Sequence, residues 1–84
     1  MVKKGNIIRL MVNTNKPEDY VVYERLDDFE NGKGGWLCVE KKSLSSKGSN
    51  NISAFDCWRV SDRYIETQLQ RGIIVIIENS KYES

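Results

Sequence analysis

Where apolar and polar positions alternate along this chain, the period is mostly two. After Gly5 and Asn6, "IIRLMV" places Ile8, Leu10 and Val12 on one side and Ile7, Arg9 and Met11 on the other, which predicts a first strand. "NTNKPED" ends it, because Asn and Asp favour turns and Pro17 biases Lys16 away from helix. "YVVYERL" predicts a second strand, with Val21 and Tyr23 on one side and Tyr20 and Val22 on the other. "DDFENGKGG" reads as a loop built around a hairpin turn at Asn31-Gly32. The third strand is "WLCVEKK", with Leu37 and Val39 inward and Trp36, Cys38 and Glu40 on the opposite face. Residues 41–53, centred on "SLSSKGSNNIS", are the most polar stretch and predict an exposed, flexible hairpin loop. "AFDCWRV" follows as a fourth strand. If the third and fourth strands pair antiparallel across that loop, Cys38 and Cys57 lie roughly opposite, so both free thiols and a disulfide stay open.

The period then changes. Ser61 is placed to cap a helix over residues 62–71, with Val60 and Ile65 forming a hydrophobic staple and Ile65 and Leu69 the buried stripe. Asp62 and Glu66 suit its positive N-terminal end, Arg71 suits its negative end, and Gly72 supplies a left-handed stop. "RGIIVIIENS" then carries five consecutive β-branched residues, Ile73 to Ile77, in a last strand over 73–78, and residues 79–84 are expected to fray. A strand with one wet face would expose two or three of those five, so something should cover its other side.

At 84 residues the chain is expected to form one domain, residues 1–84, and a domain of this size buries only about 60% of the surface its unfolded chain exposes. A hydrophobic content of 39% with 30% charged residues is too apolar for disorder. "MVKKGNIIRLMVN" has lysines before apolar residues, as a secretory signal does, but Arg9 interrupts the run and no small-residue cleavage site follows. No apolar run approaches the length that spans a bilayer, so the protein is expected to be soluble and cytoplasmic, without a membrane partner.

The order of four strands, a short helix and a final strand resembles the SH3-like small β-barrels. The residues that carry the resemblance are "KKGNIIRL", "GGWLCVE" and "CWRVSDRYIETQLQRGIIVII". It implies a five-stranded antiparallel barrel in which the last strand closes against the first. The chain lacks the acidic-aromatic signature with which signalling SH3 domains bind proline-rich peptides, although Trp36 after Gly34 and Gly35 is similar to their groove tryptophan. Its opening also resembles that of the KOW-type barrels, without the spaced glycines of that motif's second half. Small barrels of this outline are common among phage and mobile-element proteins, so the resemblance allows an inhibitor that sits on a larger host machine.

A barrel this small cannot enclose all of these apolar side chains. The last strand is expected to face the core with Ile74 and Ile76 and outward with Ile73, Val75 and Ile77, or the reverse, and the outer set, with Ile7 and Met11, is expected to meet a second copy, as in a homodimer, or another partner.

Chemistry has little to work with. The chain has no histidine, so a general base near neutral pH would need a strongly perturbed carboxylate, lysine or cysteine. Cys38 and Cys57 supply at most two soft ligands, too few for zinc, and no metal site or cofactor is expected. "GKGG" lacks the spacing and following Lys-Ser or Lys-Thr of a phosphate loop. The expected class is a non-enzymatic interaction module.

The net charge of +1 conceals blocks. Residues 1–16 carry Lys3, Lys4, Arg9 and Lys16 without an acid, residues 18–30 hold six acids against Arg25, and Lys33 to Lys47 turns basic again. Binding to a protein is the favoured reading, with Trp36, Tyr20 and Tyr23 as aromatic contacts and Lys41, Lys42 and Lys47 as steering charges. The alternative is nucleic acid, with the same lysines on phosphates and the same rings stacking on bases.

Overall fold

The computed structural model describes residues 2–12, 15, 17–29 and 33–79, with only the backbone of residues 78 and 79. The Asn31-Gly32 turn, Lys16 and the tail beyond Asn79 lie outside the described residues. The strands are β1 (Asn6–Leu10), β2 (Glu18–Leu26), β3 (Gly35–Glu40), β4 (Cys57–Ser61) and β5 (Ile74–Asn79). Helix α1 (Lys41–Lys47) and two short 3-10 turns, Ser49–Asn51 and Ala54–Asp56, separate β3 from β4, and helix α2 (Asp62–Gln70) separates β4 from β5.

The strands form one antiparallel sheet in the order β4-β3-β2-β1-β5. The last strand pairs with the first, as the resemblance to small barrels implies, but β4 and β5 do not pair with each other. The sheet is open, and the predicted closed barrel is not formed.

The reason lies in what covers the two faces. On one, Ile8, Val22, Cys38, Val60 and Ile74 pack with Ile65 of α2. On the other, Ile7, Val21 and Val39 pack with Leu44 of α1. A sheet buried on both sides needs unbroken apolar runs, and "VV", "CV" and "II" in neighbouring strands supply them. With a helix on each face, the second set of apolar side chains is buried without the sheet curling on itself.

Residues 41–53 are therefore not the flexible loop that the sequence predicts. α1 starts after Glu40 without a side-chain cap and carries Lys41 and Lys42 in its first turn, where the helix dipole disfavours cations. Tertiary contacts hold it instead. Leu44 plugs the second core, and the buried Ser43 hydroxyl donates to Asp56 at 3.0 Å. The Asp56 carboxylate also accepts from Ser53 N–H at 3.0 Å, from the Ser53 hydroxyl at 3.1 Å and from Lys47 Nζ at 3.0 Å. These donors, the Ser53 backbone first and Lys47 next, hold the Asp56 carboxyl well below the usual carboxylate range.

α2 matches its predicted span to within a residue. The Ser61 hydroxyl accepts from Tyr64 N–H at 3.1 Å, and Val60 and Ile65 share the first core. Gly72, at φ 75°, donates to Leu69 O at 3.2 Å while Ile73 N–H donates to Gln68 O at 3.0 Å, the paired bonds of a Schellman stop.

Two bulges adjust the register. The β1–β5 ladder steps from Ile8–Ile76 to Ile7–Glu78, leaving Ile77 as the extra residue, and the β2–β3 ladder steps from Val22–Cys38 to Glu24–Leu37, leaving Tyr23. Both extra side chains pack against the second core.

The two cysteines do not face each other. Cys38 pairs with Trp58 and Cys57 with Val39, one step apart in register, so they lie on opposite faces of the sheet and both are free.

Candidate docking groove

β4 ends one side of the sheet, and α2 turns back from its last residue across the face that contains Ile65. The angle between them is a groove of about 450 Å³, lined by β4 residues 58–61 and by Arg63, Tyr64 and Thr67 of the helix. Arg63 and Thr67 are four apart and Tyr64 lies beside them, so they occupy the flank of α2 that the Ile65–Leu69 stripe leaves uncovered. Four consecutive lining residues on β4 mean that the strand presents backbone as well as side chains.

Aromatic rings form the groove wall. Trp58 lies 5.9 Å from Tyr64, edge to face, and 5.2 Å from Tyr20, whose hydroxyl donates to Glu18 at 3.0 Å. Burial first, then that bond and nearby negative charge, push the Tyr20 hydroxyl up to about 12. Tyr20 thus buttresses Trp58 from behind, and Tyr64, 42% exposed, is the ring open to a visitor.

An ion pair fixes the junction of β4 and α2. Arg25 reaches from β2 to Asp62 with two bonds of 2.6 and 2.8 Å, while its guanidinium carbon lies 4.9 Å from the centre of the Trp36 ring. Gly35 lets β3 and β4 approach at the same end: a Cβ there would collide with the Val60 carbonyl oxygen and come within 2.6 Å of the Phe29 ring.

The residues expected to contact a partner are not brought together. Trp36 is half-buried against the first core beneath Arg25, and Tyr20 is half-buried behind Trp58. Tyr23 faces the second core, on the other side of the sheet. Lys47 is bound to Asp56. Lys41 and Lys42 line a separate hollow with Pro17, Glu18, Asp19 and Glu40, so acids stand among them. Of the residues expected at a self-association face, Ile7 is 3% exposed, Ile77 packs on the second core, and Met11, Ile73 and Val75 are half-buried. Much of that surplus apolar surface is covered from within the chain.

Arg59, Arg63 and Tyr64 were not legible as a site. Their signal was a polar position in the alternation of "CWRVS" and the helix flank opposite a buried stripe, which any surface strand and helix share. The groove lining contains no carboxylate or thiol, and no cluster of metal-ligating side chains occurs among the described residues. No helix among them is long and apolar enough to cross a membrane. Comparison with family models, with curated proteins and with solved structures yields no match.

Proposed function

We propose that this protein is a non-enzymatic interaction module that docks a segment of another protein in the groove between β4 and α2. The observation that carries this reading is an open strand edge running along a half-apolar groove with an exposed aromatic ring. Main-chain groups on such an edge supply affinity for any extended chain, and the side-chain pockets beside it supply selectivity. Trp58, Tyr64 and the two arginines belong to the residue types that dominate binding energy at protein interfaces. An adaptor, or an inhibitor seated on a larger machine, would use the groove in the same way.

Nucleic-acid binding draws less support. Lys47 is engaged by Asp56, and Lys41 and Lys42 share their hollow with Glu18, Asp19 and Glu40, which oppose phosphate.

The test is a pull-down from the native host with three baits: the unaltered chain, Tyr64→Ala, and Lys41→Ala with Lys42→Ala. A docking module captures a defined polypeptide that Tyr64→Ala loses and the lysine variant keeps. Retardation of single-stranded oligonucleotides that weakens steeply with salt and is lost in the lysine variant would overturn the proposal.

A further inference from the structure

We infer that the occupant of the groove is an extended, acidic segment of a partner protein, which lies along β4 as an additional strand. This rests on the docking role just proposed and specifies its ligand.

The backbone sets the first requirement. Asp62 N–H donates to Gly34 O at 3.2 Å, which makes Gly35–Ser61 a non-hydrogen-bonded pair of the antiparallel ladder. By alternation, Trp58 and Val60 turn their N–H and C=O toward β3, while Arg59 turns both outward. Its neighbours on that edge are partly engaged: Cys57 N–H donates to Ala54 O, and Ser61 is the N-cap residue, whose carbonyl takes the first bond of the helix. Arg59 therefore offers a donor and an acceptor side by side, the spacing that another extended chain matches. β4 has neither a proline nor a bulge to block such pairing.

Charge sets the second requirement. Arg59 and Arg63 form no ion pair among the described residues, while the acids that precede them, Asp56 and Asp62, are taken by Lys47 and Arg25. A residue of the incoming strand opposite Arg59 would share its face of the sheet, so a carboxylate there would meet the guanidinium directly. The sheet already contains this arrangement: Arg9 and Asp19 are register partners in β1 and β2, bonded at 2.7 and 3.0 Å. The residues on either side of that carboxylate would point to the helix face, where Arg63 favours a second acid and the Trp58 and Tyr64 rings favour an apolar side chain.

The experiment is selection of a random heptapeptide display library on the full chain, followed by titration of the selected peptides into isotope-labelled protein. The expected peptides carry an acid at the centre with an apolar residue beside it, and they shift the amides of residues 57–61 and 63–67. Arg59→Glu should weaken them by about tenfold or more, equivalent to about 1.4 kcal/mol, and should select basic peptides instead. Arg59→Pro removes only an outward N–H, so it should keep the fold yet lose binding of every sequence. If that variant unfolds, Arg59→Glu still decides the charge requirement. Selection of neutral or basic peptides at the same amides overturns the acidic ligand and leaves the docking role standing. Peptides that shift other amides, or no selection at all, overturn both.

Discussion

Val21 and Val22 are consecutive residues of β2, 1% and 0% exposed, and they belong to different cores. Val22 packs beneath α2 and Val21 beneath α1, so the sheet between them is a partition with no wet face at its centre.

This arrangement makes Leu44 as important as Ile65, although only Ile65 lies on an evident helical stripe. Leu44→Ala should cost about 2 to 4 kcal/mol in urea unfolding, within the range of Ile65→Ala, whereas a residue in a flexible loop would cost almost nothing. Because the two side chains lie on opposite faces, the double variant should be additive to within about 0.5 kcal/mol.

The thiols should behave independently. Burial pushes the Cys38 thiol up to about 12, and burial together with Asp56 raises Cys57, whose Sγ donates to Ser53 O at 3.3 Å. At pH 8 a maleimide should modify Cys57 slowly and Cys38 only after unfolding, as peptide mass mapping would reveal. A reductant should leave the melting temperature unchanged, and a fall of several degrees would show a bridge that the register forbids.

Acid should unfold the protein through particular carboxylates. Asp56, Asp19 and Asp62 all titrate below their ordinary value, chiefly through Ser53, Arg9 and Arg25 respectively. A depressed folded-state value contributes stability that is complete above the unfolded carboxylate value, about pH 3.9, and is lost as pH falls below it. Melting temperatures measured from pH 6 to pH 2 should therefore drop most below about pH 4. Asp56→Asn should melt lower than the unaltered chain at pH 6, with the gap narrowing toward pH 2.

Gly35→Ala should destabilise by about 1 to 3 kcal/mol, because neither the Val60 carbonyl nor the Phe29 ring leaves room for a methyl group. Since Gly35 pairs with Ser61, the damage should appear first in hydrogen exchange at β4 and the start of α2.

Local patterns predicted much of this fold. Alternation located the five strands, and Ser61, Ile65, Leu69 and Gly72 marked α2 because each acts through neighbours in sequence. α1 was hidden because Leu44 is the one large apolar side chain among serines and lysines, and the helix is held by Asp56, which lies beyond the next turn. Sheet closure is not legible for a related reason: unbroken apolar runs show that both faces are covered without showing by what. The groove was less legible still. Arg59 has an ordinary surface residue's sequence context, and only the strand order makes β4 an edge.

That edge has a further consequence for the protein in a crowded solution. Two copies meeting edge to edge about a twofold axis through Arg59 would set guanidinium against guanidinium, so like-charge repulsion discourages homotypic stacking at the place where the ladder is incomplete. Polyanions or high salt would weaken that deterrent, and light scattering under those conditions would report a dimer closed through this edge.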